Sequence, residues 1–187
     1  MKNFRLLGKL FRQSECDAVL SQIEAHPELW DQNNERTTLP NSPHAQSSDI
    51  WLRFRARAEL DTPAKFGEPH FAEFYPAWRE LPAVQHMPFK IMTALGAVYL
   101  GGILLTRLPP GAEILPHVDT GWHPEFLNAK AYVILKANER CLNHCGDETV
   151  IMLPGEAWLF NNRVMHSVQN RGQTERIALI ITMRVEI

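Results

Sequence analysis

The rhythm of apolar and polar positions changes near residue 96. Before it, Val19, Leu20 and Ile23 form a stripe at helical spacing within residues 14–26. Ser14, followed three residues on by Asp17, reads as a capping pair, so a helix is predicted there. Residues 31–48 (DQNNERTTLPNSPHAQSS) are polar, contain two prolines and read as a long loop. Loops of that length are uncommon in compact domains unless they bind something or are disordered, and closure of this one over whatever binds is the expectation. Ile50, Leu52 and Phe54 then alternate with Trp51, Arg53 and Arg55, which predicts a strand with the two sets on opposite faces. Residues 60–76 are irregular, and 77–95 are helical in pattern with breaks expected at Pro82 and Pro88.

After residue 96 short apolar segments recur at 98–108, 113–119, 131–136, 149–153, 157–160, 165–169 and 176–184, separated by Gly111, Pro154-Gly155 and Asn170-Arg171-Gly172. This spacing predicts a β-sandwich or barrel of jelly-roll type. The fold expected is mainly β with flanking helices, the N-terminal helices packed on one outer face of the barrel. With 187 residues, one domain is expected over 1–187, in which 1–95 support a β core at 96–187.

Composition narrows the function classes. A net charge of -2 gives no electrostatic support for nucleic-acid binding. No apolar run reaches the ~18 residues of a membrane span, and residues 1–7 lack the apolar core of a signal peptide. A cytoplasmic location is the resulting expectation. Three cysteines are an odd number and do not read as a disulfide framework. Cys141, His144 and Cys145 form half of a zinc set, with no second pair nearby.

Candidate chemistry concentrates in His117-Val118-Asp119, His166 and Arg176. Side chains alternate along a strand, so His117 and Asp119 reach the same side and Val118 the other. His166, on a different segment, would complete two histidines and a carboxylate, the facial set that holds non-haem Fe(II) and leaves positions open. Arg176 opens a strongly apolar strand. A cation there is costly without an anion, and guanidinium geometry suits a carboxylate.

The segments Leu108-Pro-Pro-Gly111-Ala-Glu-Ile114-Leu-Pro-His117-Val-Asp119 and Pro154-Gly155-Glu156-Ala-Trp158-Leu-Phe160-Asn161-Asn162, with His166 to Asn170 and Arg176 following, resemble the aspartyl/asparaginyl β-hydroxylase-like family of Fe(II)/2-oxoglutarate-dependent oxygenases. The likeness covers about 96–184 and extends more loosely to 48–53, where a small bacterial or phage branch is the nearest pattern. It implies a double-stranded β-helix (cupin-like) core. His117, Asp119 and His166 would be the catalytic iron ligands, and Arg176 the partner of the distal carboxylate of 2-oxoglutarate. Thr106 would add a hydroxyl to that carboxylate. Lys130 and Tyr132 stand where the family has Arg-x-His, as further co-substrate contacts. The implied reaction uses Fe(II), 2-oxoglutarate and O2 to hydroxylate a C–H bond of an amino acid or a peptidyl residue.

Leu115, Trp122 and Phe160 are candidate cavity walls. Trp122, His123 and Arg53 are candidate substrate contacts at the mouth, Arg53 meeting an anionic group or lying on a solvated strand face. A cupin-like metalloprotein of other chemistry is the alternative, but it gives Arg176 no role.

Overall fold

Two antiparallel sheets carry the alternation seen in the second half of the chain, and three strands join them that the pattern did not announce. The computed structural model describes residues 2–60 and 62–186. In chain order the elements are β1 (Phe4–Lys9), α1 (Gln13–Ala25), α2 (Glu35–Thr38), β2 (Ser48–Arg55), β3 (Ala72–Phe74), α3 (Ala77–Glu80), α4 (His86–Leu95) and β4 (Ala97–Leu108). They continue as β5 (Glu113–His117), α5 (Trp122–Phe126), β6 (Ala129–Lys136), β7 (Cys141–Cys145), β8 (Glu148–Ile151), β9 (Glu156–Phe160), β10 (His166–Asn170) and β11 (Arg176–Val185). The larger sheet has the order β1-β9-β6-β11-β4-β2-β3 and the smaller β5-β10-β7-β8. Together they form the double-stranded β-helix.

The central strands are apolar throughout because both their faces are covered. Ile177, Leu179 and Ile181 of β11, with Val133, Leu135, Ile103 and Leu105, pack on Val19 and Ile23 of α1 and Met87 and Ile91 of α4. Each such side chain contributes roughly 1.5–3 kcal/mol by leaving water. The opposite face of the same strands presents Tyr132, Ile134, Ala178 and Ile180 to Phe4, Met152 and Phe160 inside the barrel. Arg176 shares the parity of Ala178 and Ile180, so it is carried inward.

Helix ends follow local chemistry. α1 starts one residue before Ser14; its cap is Arg12, whose backbone N–H donates to the Glu15 carboxylate at 2.9 Å. The Ser14/Asp17 pair is therefore not the cap. Pro82 does break the 77–95 stretch, between α3 and α4. Pro88 does not, because it lies in the first turn of α4, where a missing N–H costs nothing. α4 ends at Gly96, left-handed at φ 63°, whose N–H caps the Met92 and Thr93 carbonyls.

A bulge in β2 overturns its predicted alternation. Trp51 pairs with Leu104 and Arg53 with Ile103, so Leu52 is the extra residue. Phe54 thereby joins Trp51 and Tyr75 in one aromatic cluster, and Arg53 turns away. Its guanidinium donates to the carbonyls of Leu100 and Gly101 at 2.6 and 2.7 Å and sits over the Phe74 ring.

Candidate metal centre and adjoining cavity

His117 is the last residue of β5 and His166 the first of β10, and the two are cross-strand partners. Their ring centroids lie 4.2 Å apart. Asp119 lies just past β5, its N–H donating to the Asn162 carbonyl at 3.0 Å. The bend lets Val118 line a cavity while Asp119 Oδ1 comes to 3.7 Å from His117 Nε2 and 3.9 Å from His166 Nε2. The three potential ligand atoms lie within 4.8 Å of one another, and this is the one such group among the described residues that could hold a metal ion.

Hydrogen bonds fix what each ligand offers. Nδ1 of His117 faces the Leu115 carbonyl at 2.8 Å, and Nδ1 of His166 faces the Val164 carbonyl at 2.9 Å. A carbonyl only accepts, so Nδ1 carries the proton and Nε2 keeps its lone pair. Both Nε2 atoms are buried without a partner. Asp119 Oδ2 accepts from Lys130 Nζ at 2.6 Å and Asn162 Nδ2 at 2.8 Å, which turns Oδ1 to the histidines. Burial alone would raise the Asp119 pKa. The Lys130 charge and hydrogen bond, with that of Asn162, outweigh it and hold the carboxyl well below the usual carboxylate range. Burial, then the Lys130 charge, pushes His166 down to about 4, and burial lowers His117 as well. Two neutral imidazoles and one carboxylate, with orphaned lone pairs converging, fit a divalent iron.

Arg176 is 1% exposed. Its guanidinium lies 5.0 Å over the Tyr132 ring and reaches Asn143 Oδ1 at 3.4 Å, while Nε and Nη1 have no partner. Tyr132 stacks on Phe160 at 4.6 Å, and Phe160 lies 5.2 Å from the His166 ring. The buried Arg176 guanidinium and the His117–Asp119–His166 cluster are thus joined by a short run of aromatic contacts. Thr106 is buried, but its hydroxyl donates to Asp49 and accepts from Arg36. Lys130, expected on the co-substrate, is held by Asp119 and passes over Phe160.

The other expected site residues divide. A cavity of about 400 Å³ opens beside Asp119 and is lined by Lys130, Asn162 and His123. The His123 ring lies 5.3 Å from Phe54, nearly parallel to it, and its Nε2 faces the Phe66 carbonyl at 3.1 Å. Burial, with the nearby His70, lowers its pKa to about 4. Trp122 instead stacks on Phe126, outside the lining. Arg53 is also outside it, held on backbone carbonyls; the bulge in β2 is the reason. Of the proposed walls, Phe160 is inside the barrel and Leu115 is exposed. Cys141 and Cys145 point into the core, whereas His144 bonds Thr149 on the other face of β7, so they make no zinc set.

The sequence pointed to the 31–48 loop as a whole but singled out none of residues 36–44, several of which line the cavity. Arg36 grips the fully buried Asp49 through two nitrogens, at 2.6 and 2.8 Å, and Pro43 accepts from the Leu115 N–H. His44 sits edge-on to His117 at 4.8 Å. Burial, then the Arg36 charge, holds its pKa far below the usual range. The one signal available was the length of the loop.

Comparison with known proteins fits this geometry. Residues 79–185, more than half of the chain, match the aspartyl/asparaginyl β-hydroxylase family. The chain belongs to that family. The iron- and 2-oxoglutarate-dependent hydroxylase expected from the sequence therefore holds at the level of this family. No curated protein matches it in sequence. Among solved structures it is similar to a prolyl-4-hydroxylase from Pseudomonas putida, at 15% identity and TM-score 0.57 over 99% of this chain and 94% of that one. A viral collagen prolyl hydroxylase from Paramecium Bursaria Chlorella virus-1, in its 2OG complex, gives 13% identity and TM-score 0.60, covering 99% and 97%. A Trichoplax adhaerens prolyl hydroxylase with a hypoxia inducible factor peptide gives 11% and 0.66, covering 97% and 83%. These likenesses establish the fold of the β-hydroxylase-family chain.

Proposed function

We propose that this protein is an Fe(II)- and 2-oxoglutarate-dependent dioxygenase that hydroxylates a C–H bond of an amino acid or a peptidyl residue. The observation that carries the reading is Arg176, a buried guanidinium with two unpartnered nitrogens, set in the same barrel as three converging ligand atoms. A cupin-like metalloprotein of other chemistry leaves that arginine unexplained.

His117, Asp119 and His166 would hold the iron. When bound there with 2-oxoglutarate and O2, it supplies oxidative decarboxylation to succinate and CO2 coupled to conversion of C–H to C–OH. The residues provide orientation. Carbonyls of Leu115 and Val164 aim the two Nε2 atoms, and Lys130 with Asn162 aims Oδ1. Arg176 grips the far carboxylate of the co-substrate, with Tyr132 beneath the guanidinium. Residues 36–44 cover the cavity next to Asp119 and limit water entry.

The test is anaerobic titration of the metal-free protein with Fe(II) and 2-oxoglutarate, following the visible metal-to-ligand charge-transfer band. The band appears in the wild type and is lost in Arg176→Ala. Iron binding with no band in the wild type would remove the co-substrate half of the proposal.

A further inference from the structure

Asp119, Lys130 and Asn162 border the cavity; Arg176, Tyr132 and Thr106 are not among the residues that line it. On the dioxygenase reading, Arg176 takes the far carboxylate of the co-substrate and the cavity is left for the group to be hydroxylated. What that group is depends on which charges at the wall are free.

Two cations border the cavity, and each is already bound to a carboxylate. Arg36 is held by Asp49 and Lys130 by Asp119, both at 2.6 Å. Polar groups beside them are also engaged internally. The Asn162 amide donates to Asp119, and the Thr182 hydroxyl accepts from the Gly102 N–H and donates to its carbonyl. Much of the remaining wall is carbon, from Phe54, Phe66, Leu104, Leu127 and Ile180, with the flat face of His123 against Phe54; the uncharged polar residues Asn41, Thr120 and His44, whose buried Nδ1 has no partner, complete it. A carboxylate entering here would lose its water and meet no uncommitted cation. An aliphatic side chain would lose water at no such cost.

We infer that the substrate presents an uncharged, largely apolar side chain to this cavity, and that the enzyme selects it over an aspartyl carboxylate. The family's name includes aspartyl substrates; the walls of this cavity do not suit one. The inference rests on the dioxygenase reading for the identity of the cavity, and its test separates the two.

The protein is loaded with Zn(II) in place of iron, and with 2-oxoglutarate. It is then probed by saturation-transfer NMR with N-acetyl amino-acid N-methylamides of leucine, valine, proline and aspartate. The apolar amides are expected to bind on the order of tenfold or more tighter than the aspartyl amide. Phe66→Ala weakens the apolar amides severalfold. Leu39→Arg, which adds an uncommitted cation to the cavity wall, strengthens the aspartyl amide. An aspartyl amide that binds as well as the apolar ones overturns the inference. So does an aspartyl amide indifferent to Leu39→Arg, or contact from none of the four. The 2-oxoglutarate signal in the same spectra reports on the underlying reading. Its absence overturns that reading, whatever the amides do.

Discussion

Arg176 is costly to the protein that carries it: a buried guanidinium with Nε and Nη1 unpartnered is tolerated only if something pairs with it in use. Replacing it by Met should therefore divide stability from function. In Arg176→Met the metal-free, co-substrate-free protein is expected to unfold at a higher temperature than wild type, while 2-oxoglutarate affinity falls by on the order of a hundredfold or more. Thermal unfolding with and without 2-oxoglutarate checks both halves; a variant less stable than wild type without ligand would refute the strain. Lys130 acts one step further out. With Lys130→Met the Asp119 carboxylate loses its 2.6 Å partner, and Zn(II) affinity measured by calorimetry should fall about 10–100-fold with circular dichroism unchanged. These two residues also show how far single positions can be read from sequence. Arg176 was legible because a charge opening an apolar strand demands an explanation. Lys130 was legible as a site residue, but its partner was not, because a contact between residues 119 and 130 depends on where the chain bends after β5. Arg36 and His44 gave no signal at all, being ordinary polar residues in a polar stretch.

Strand β2 and the loop before it show the same limit at the level of elements. Alternation correctly predicts that a strand spans 50–55, but a bulge is one inserted residue and leaves no mark in the pattern of polarity. It reverses the faces of Arg53 and Phe54, and with them a proposed substrate contact. β1, β3 and β7 were missed for related reasons: β1 and β3 are edge strands with little burial to enforce alternation, and β7 looked like a cysteine motif before it looked like a strand. The helical stripe of α1 and the strands from 97 onward were legible because one face or both must be buried. Loop 31–48 was legible as long and as a segment that closes over whatever binds, but not residue by residue. A buried ion pair, Arg36 with Asp49, which also ties in Thr106, anchors it beside backbone bonds such as Leu115 N–H to the Pro43 carbonyl. Asp49→Asn leaves the guanidinium without its counter-charge, and losing one partner of such a pair costs about 3–5 kcal/mol. The expected outcome is faster amide exchange across 36–44 and weaker apolar-amide binding, with 2-oxoglutarate affinity changed far less. Equal exchange rates in variant and wild type would show that the pair does not hold the loop.

The whole molecule divides its core by the two faces of one sheet: the outer face, with α1 and α4, carries much of the packing, and the inner face carries the chemistry. A site built inside a barrel has to bury its titratable groups, and that burial makes stability depend on pH. His123 and His166 titrate near 4 in the folded protein, against an ordinary value of 6.5. As the pH falls from about 6.5 to about 4, the unfolded chain takes up protons at these positions and the folded chain does not. Stability of the metal-free protein must therefore decrease with acidification across that window and level off, for these two groups, below it. His117 is shifted in the same direction and adds to the slope. The carboxyl of Asp119 behaves differently: held low by Lys130 in the fold, it withdraws its stabilisation only at more acidic pH, as it becomes protonated. Denaturant unfolding of the metal-free protein at a series of pH values from about 7 to about 4 should show the histidine limb first. In His123→Gln, which retains a donor for the Phe66 carbonyl, the slope over that limb should fall by about one proton. Saturating Zn(II) adds a second contribution, since the metal holds His117 and His166 deprotonated and is itself displaced as they protonate. The pH at which half the stability is lost should therefore shift upward less in His166→Gln than in wild type when zinc is removed. An identical shift in the two proteins would mean that the converging nitrogen atoms of His117 and His166 do not share a metal.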